Sequence, residues 1–75
     1  MYYFFGTKLR DWRIENEMTQ ERLAELLQLS TRTVQLWESG RGLPGIYALL
    51  DTADVMGVSI DWLLDRTQNW HITGP

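Results

Sequence analysis

The chain has no cysteine, one histidine (His71) and two prolines in 75 residues. Without cysteine there is neither a disulfide framework nor a thiolate metal site, and a lone histidine cannot assemble a zinc centre. No metal and no cofactor are expected. With carboxylates scattered over several faces and no nucleophile beside a base, an enzyme is not expected either. No apolar run approaches the roughly 20 residues that span a bilayer. The aromatic residues 1–5 form too short a stretch, with no basic lead, for a signal peptide. The expectation is a soluble, cytoplasmic protein with no membrane partner. Basic charge is also scarce, with Lys and Arg at 7 against Asp and Glu at 10 and a net charge of −3. That balance argues against a general polyanion binder.

What is present is a folding sequence. Hydrophobic residues make up 44%, including four Trp, three Tyr and two Phe, too many for a disordered tail. So short a chain supports one domain, which hides about 60% of its unfolded surface. The charge is uneven. Residues 1–41 hold Lys8, Arg10, Arg13, Arg22, Arg32 and Arg41 against Asp11, Glu15, Glu17, Glu21, Glu25 and Glu38, and so balance to zero. Beyond them Arg66 faces Asp51, Asp54, Asp61 and Asp65, so the whole excess of −3 belongs to the second part. A polyanion would have to meet the first.

Apolar periodicity and capping residues predict five helices. Gly6 reads as a breaker and Thr7 as an N-cap, with Leu9 and Trp12 on a first helix over about residues 7–16. Thr19 caps a second helix with the stripe Leu23, Ala24, Leu26 and Leu27, and Ser30 caps a third that buries Val34 and Trp37. Only Gln28 and Leu29 separate these two, the arrangement of a helix, a tight turn and a helix over about residues 19–39. Ile46, Leu49, Leu50, Ala53 and Met56 mark a fourth helix ending at Gly57, and Ser59 caps a short fifth with Ile60, Leu63 and Leu64. Trp70 and Ile72 alternate with polar neighbours as in a strand. Residues 1–5 are the other strand-like piece, so a small two-stranded terminal sheet, within one chain or across a dimer, is an optional addition to the all-α bundle. The domain runs over 7–66, flanked by terminal segments 1–6 and 67–75.

Over roughly residues 9–64 an ordered set of positions resembles the lambda Cro and C1 type of helix-turn-helix regulator. The set includes Leu9, Trp12 and Arg13; Met18-Thr19-Gln20; Leu23-Ala24; Leu29-Ser30; Val34, Trp37 and Glu38; Gly40-Arg41 and Pro44; Leu49-Leu50 and Ala53; Gly57-Val58-Ser59 and Leu63-Leu64. Each match is weak alone, but together they run without a gap. The resemblance implies a five-helix lambda-repressor-like bundle that binds double-stranded DNA, in a family whose members are mostly dimeric repressors or regulators. It assigns base contacts to Thr31, Arg32, Thr33 and Leu36, with Gln35 beside them, and a phosphate contact to Gln20. It also implies a structural ion pair between Arg13 and Glu38.

The chemistry of the third helix agrees. At 100° per residue, Arg32, Gln35, Leu36 and Ser39 project away from the side held by Val34 and Trp37. Arginine can fork onto guanine O6 and N7, glutamine can pair with adenine, and leucine or a threonine methyl can pack on a thymine methyl. Ser30 and the adjacent helix N-terminus suit a phosphate, as does Arg41 in the following loop. Three positions depart from the pattern. Gln28 stands where glycine is common and costs roughly 1–2 kcal/mol if that backbone is left-handed. Gly45 replaces a serine cap, and Thr52 replaces an apolar residue, its hydroxyl free to bond a preceding carbonyl.

One short reading helix and a small cysteine-free core both favour a homodimer, on a pseudo-palindrome with half-sites one helical turn apart. Ile60, Trp62, Leu63, Trp70 and Ile72 are the nominated contacts. The leading reading is a sequence-specific regulator, foremost a repressor. The rival is an antitoxin-like or adaptor module that keeps the scaffold and binds a protein through its acidic part, since fold alone does not fix function.

Overall fold

In a computed structural model, which describes residues 3–64, the helix starts follow from local side-chain chemistry. The order is α1 (Tyr3–Glu15), α2 (Gln20–Leu27), α3 (Thr31–Glu38), α4 (Ile46–Met56) and α5 (Ile60–Leu63). Thr19, Ser30 and Ser59 hold extended backbone and accept from the N–H groups of Arg22, Thr33 and Trp62 at 3.0–3.1 Å. Each bond satisfies one donor that the first helical turn leaves unpaired. Gly45 starts α4 without a side-chain bond. The described residues form an all-helical bundle, with α1 packed on α3 and α5, and α2 on α3 and α4.

The first helix departs from expectation in an informative way. It begins at Tyr3, so the described part of the aromatic start is helix rather than strand, and Gly6 is an interior residue rather than a breaker. The proposed C-terminal strand lies outside the described residues, and no terminal sheet is shown. Phe5 is buried, with its ring 5.7 Å from that of Trp37 in an edge-to-face arrangement at 67°. A Cβ at Gly6 would lie 2.1 Å from the Trp37 carbonyl oxygen, so only glycine lets α1 approach the end of α3 this closely. The helix-breaking reputation of glycine is overridden by the packing it permits.

The core is drawn from every helix: Phe5 and Leu9; Leu23, Ala24 and Leu27; Val34 and Trp37; Leu49, Ala53 and Met56; and Leu63, with Val58 from the turn before α5. The buried stripe of α4 is Leu49, Thr52, Ala53 and Met56, spaced i, i+3, i+4, i+7. This turns Ile46 and Leu50, expected inside, out to solvent. Thr52 goes inside in their place, its hydroxyl donating to the Ala48 carbonyl at 2.7 Å. Trp12, expected in the core, is half-buried at its edge.

The turn between α2 and α3 keeps the left-handed residue that glycine would make cheap. Gln28 has φ 58° and ψ 44°, its N–H reaching the Ala24 and Glu25 carbonyls while the Leu29 N–H donates to Ala24 at 2.8 Å. These bonds close the helix end.

Two substitutions test this account by their sign. Gly6→Ala gains about 1 kcal/mol in helix propensity but forces backbone apart at α3. A net loss of about 2 kcal/mol is expected by urea denaturation, and an unchanged or raised midpoint would refute the close contact. Gln28→Gly relieves the left-handed strain and should raise stability by about 0.5–1 kcal/mol, after the extra chain entropy of glycine is counted.

Candidate nucleic-acid interface

Seating α3 begins with its last residue. The Arg13 Nε donates to Glu38 Oε2 at 2.7 Å and its Nη2 to Oε1 at 3.0 Å, a two-pronged pair from α1 to the end of α3. Arg13 Nη1 also donates to the Met18 carbonyl at 2.9 Å, and Gln20 Nε2 to Glu38 Oε1 at 3.0 Å. The two charged side chains are only 14% and 5% exposed. The Arg13–Glu38 pair thus ties together α1, the α1–α2 turn, the start of α2 and the end of α3. The hydrogen bond to Glu38 holds the Arg13 pKa above its ordinary value, against the opposing pull of burial. A folded pKa above the unfolded one gives stability that is complete below the ordinary arginine range. It is lost only as pH rises through the raised value, so ordinary alkaline conditions leave the arginine charged.

With Glu38 turned inward, the outward side of α3 carries no acid. Arg32 and Gln35 are exposed and Leu36 is half-buried. These three line a shallow recess of about 360 Å³ with Ser39 and Arg41. Arg41 arrives there because the loop folds back over the helix end: its N–H and that of Gly42 donate to the Leu36 carbonyl at 2.9 and 3.2 Å. Gly40, at φ 79°, supplies the reversal. Ser39, an outward residue in sequence but not among the nominated contacts, joins the recess while its hydroxyl donates to the Leu36 carbonyl at 3.0 Å. The signal was the helical angle it shares with Arg32.

The other nominated residues stand apart from this recess. Thr31 and Thr33 are half-buried at the start of α3. The Ser30 hydroxyl accepts from the Thr33 N–H at 3.1 Å and shares a hydrogen bond with the Thr33 hydroxyl at 3.0 Å, so both hydroxyls serve the cap. Gln20, nominated for a phosphate, has its amide nitrogen engaged with Glu38.

The nominated dimer contacts are corrected in one place. Leu63 is fully buried in the core of its own chain and has no surface to offer a partner, because Ser59 starts α5 in the register that points Leu63 inward. Ile60 and Trp62 are half-buried, and Trp70 and Ile72 lie outside the described residues. The Trp62 ring faces the Lys8 ammonium 4.4 Å away, and Lys8 also donates to the Trp62 carbonyl, pinning α5 to α1.

The sequence pattern of the helix-turn-helix family matches residues 9–63. The chain belongs to that family. It is 40% identical over 60 residues to the HTH-type transcriptional activator BcrR of Enterococcus faecalis, covering 80% of this chain and 29% of the relative. It is 30% identical over 63 residues to YonR, an SPbeta prophage-derived HTH-type transcriptional regulator of Bacillus subtilis strain 168, covering 84% and 58%. The chain therefore spans less than two thirds of the length of these curated relatives. Among solved structures, a transcriptional regulator from Listeria innocua superposes with a TM-score of 0.77 at 32% identity, over 92% of this chain and 64% of that one. The iron(II) form of HppE in complex with substrate superposes with a TM-score of 0.74 at 30% identity, over the whole of this chain and 47% of that one. Among the described residues, no group of three His, Cys, Asp or Glu side chains could hold a metal ion, and no helix is long and apolar enough to cross a membrane.

Replacing Glu38 with Gln, or Arg13 with Met, leaves the partner's charge uncompensated and should cost about 3 kcal/mol in chemical denaturation. The double variant should recover part of that loss, and strict additivity of the two single effects would show that the pair does not act as a unit.

Proposed function

We propose that this chain is a sequence-specific DNA-binding transcriptional regulator that inserts α3 into the major groove. The observation that carries this reading is the recess on α3, where two arginines, a glutamine and a leucine converge with no carboxylate among them. Arg32 and Gln35 supply donors for base edges, Leu36 an apolar surface for a thymine methyl, and Arg41 a phosphate contact at the rim. Thr31 and Thr33 approach bases from the helix start, while Ser30 and Gln20 lie where backbone phosphates pass an α-helix N-terminus. Because Glu38 is consumed by Arg13, a chain of net charge −3 can still present a cationic reading face.

The same reading has the chain acting in the cytoplasm as a homodimeric repressor on a pseudo-palindrome with half-sites about 34–36 Å apart. Repression needs only occupancy of the DNA, whereas activation requires a further contact with the transcription machinery. BcrR is named an activator, so a promoter reporter carrying the selected site should be read for both directions. A second reading has one observation in its favour. Asp51 and Asp54 flank a recess with Leu26, Leu27, Gln28 and Val55, a surface whose charge suits a basic protein partner rather than DNA.

Selection from random-sequence duplexes should enrich a palindromic site. Arg32→Ala should then lose about 1–3 kcal/mol and relax the preference at one base pair of each half-site. Arg41→Ala should weaken binding evenly across sequences and reduce the salt slope by about one. No enriched site, or an unchanged affinity for Arg32→Ala, would sink the direct-readout reading.

A further inference from the structure

Aromatic rings and carboxylates meet in one cleft away from α3. On α1, Lys8, Asp11, Trp12 and Glu15 follow the i, i+3, i+4, i+7 spacing of a single helix face. Trp62 of α5 stands opposite, and Trp12, Glu15 and Trp62 border two adjoining recesses. The larger, of about 340 Å³, has the buried Met56 and Val58 as its apolar floor. The smaller, of about 210 Å³, adds Lys8 and Asp11 to the same three residues. Both indoles are half-buried and both carboxylates are exposed. Apolar walls with a few convergent polar groups are the make-up of a small-molecule pocket.

We infer that this cleft between α1 and α5 binds a small organic cation, an ammonium group carried on an apolar body. Three observations select that occupant. The Lys8 ammonium lies 4.4 Å from the centroid of the Trp62 ring, so the chain itself shows an indole of this cleft facing a cation. Asp11 and Glu15 have no ion-pair partner among the described residues, and like charges four residues apart on a helix repel each other. A cation seated beside both relieves that repulsion. Two carboxylates against the one Lys8 ammonium leave the cleft with one negative charge, on a chain whose net charge is −3. A bare metal ion does not fit, because among the described residues no three His, Cys, Asp or Glu side chains come together to hold one. The apolar floor and the second indole, Trp12, instead match a hydrocarbon or aromatic portion beside the charge. Anions, DNA phosphate included, are repelled by the same carboxylates.

Benzyltrimethylammonium is the probe, and the indole N–H proton signals of the full chain are the readout. No DNA is present, so the outcome stands apart from the direct-readout test. Trp12→Phe and Trp62→Phe assign the two relevant signals. Both should shift on titration and saturate with a dissociation constant in the low millimolar range, the efficiency of so small a ligand, while the Trp37 signal stays in place. Benzyl alcohol has the ring without the charge, and tetramethylammonium has the charge without the ring. Each should bind at least about fivefold more weakly than the probe. Asp11→Asn combined with Glu15→Gln, two exposed changes on α1, should weaken the probe by about the same factor and leave the circular dichroism unchanged. Asp51→Asn combined with Asp54→Asn alters the net charge equally at the recess beside α4 and should bind like the unaltered chain. Shifts that fail to saturate, benzyl alcohol binding as tightly as the probe, or the α4 variant losing as much as the α1 variant would each overturn the assignment.

Discussion

The bundle depends on how closely α1 can lie against the end of α3. At Gly6 the helix backbone meets the Trp37 carbonyl with no room for a single side-chain carbon. One residue earlier Phe5 packs its ring edge to face with Trp37, and one residue after Trp37 the Glu38 carboxylate takes both prongs of Arg13. An apolar contact, a steric opening and a buried ion pair thus converge on two adjacent residues of α3. A short helix of eight residues has little stability of its own. What fixes its position is this three-part contact with a helix distant in sequence.

That fixation shapes the electrostatics of the outward face of α3. An acid on the outer side of α3 would repel phosphate, yet the only acid of the helix is Glu38, which is folded inward and neutralised. The same carboxylate orients Gln20 at the start of α2, so the relative placement of α2 and α3 depends on a single buried charge. The tight turn between them is closed by Gln28 in a left-handed conformation that a non-glycine residue adopts at some cost. Local strain is tolerated here because the backbone bonds to Ala24 and Glu25 and the packing of Leu23, Ala24 and Leu27 over-determine the turn.

The charge arithmetic takes on a different meaning in three dimensions. The zero balance of residues 1–41 conceals a separation in which Arg32 and Arg41 face outward and Glu38 inward. The excess acidity of the second part includes Asp51 and Asp54 of α4, which border a recess away from the arginines. Between the two lies an uncharged stretch ending at Leu50. A chain acidic on average is therefore divided into a cationic face, an acidic face and an apolar patch.

The sequence by itself determined the elements whose causes are local. Thr19, Ser30 and Ser59 bond to backbone three residues ahead, so the starts of α2, α3 and α5 were readable, and the apolar repeat gave the inward faces of α2 and α3 except at Leu26, which was expected inside and is exposed. The outward set of Arg32, Gln35, Leu36 and Ser39 followed from the same angular arithmetic, and the Arg13–Glu38 pairing from the family resemblance. Tertiary structure alone decided the rest. Gly6 looks the same in sequence whether it breaks a helix or admits a neighbour, and only Trp37, far along the chain, tells the two apart. The apolar residues of α4 outnumber the places its stripe offers, so which of them face solvent depended on how α4 rotated onto α2 and α5. Leu63 and Trp62 are adjacent and both apolar, yet one is sealed in the core and the other sits half-exposed beside Lys8. Capping and periodicity act within one or two turns, whereas burial and close approach belong to surfaces that meet only once the chain has folded.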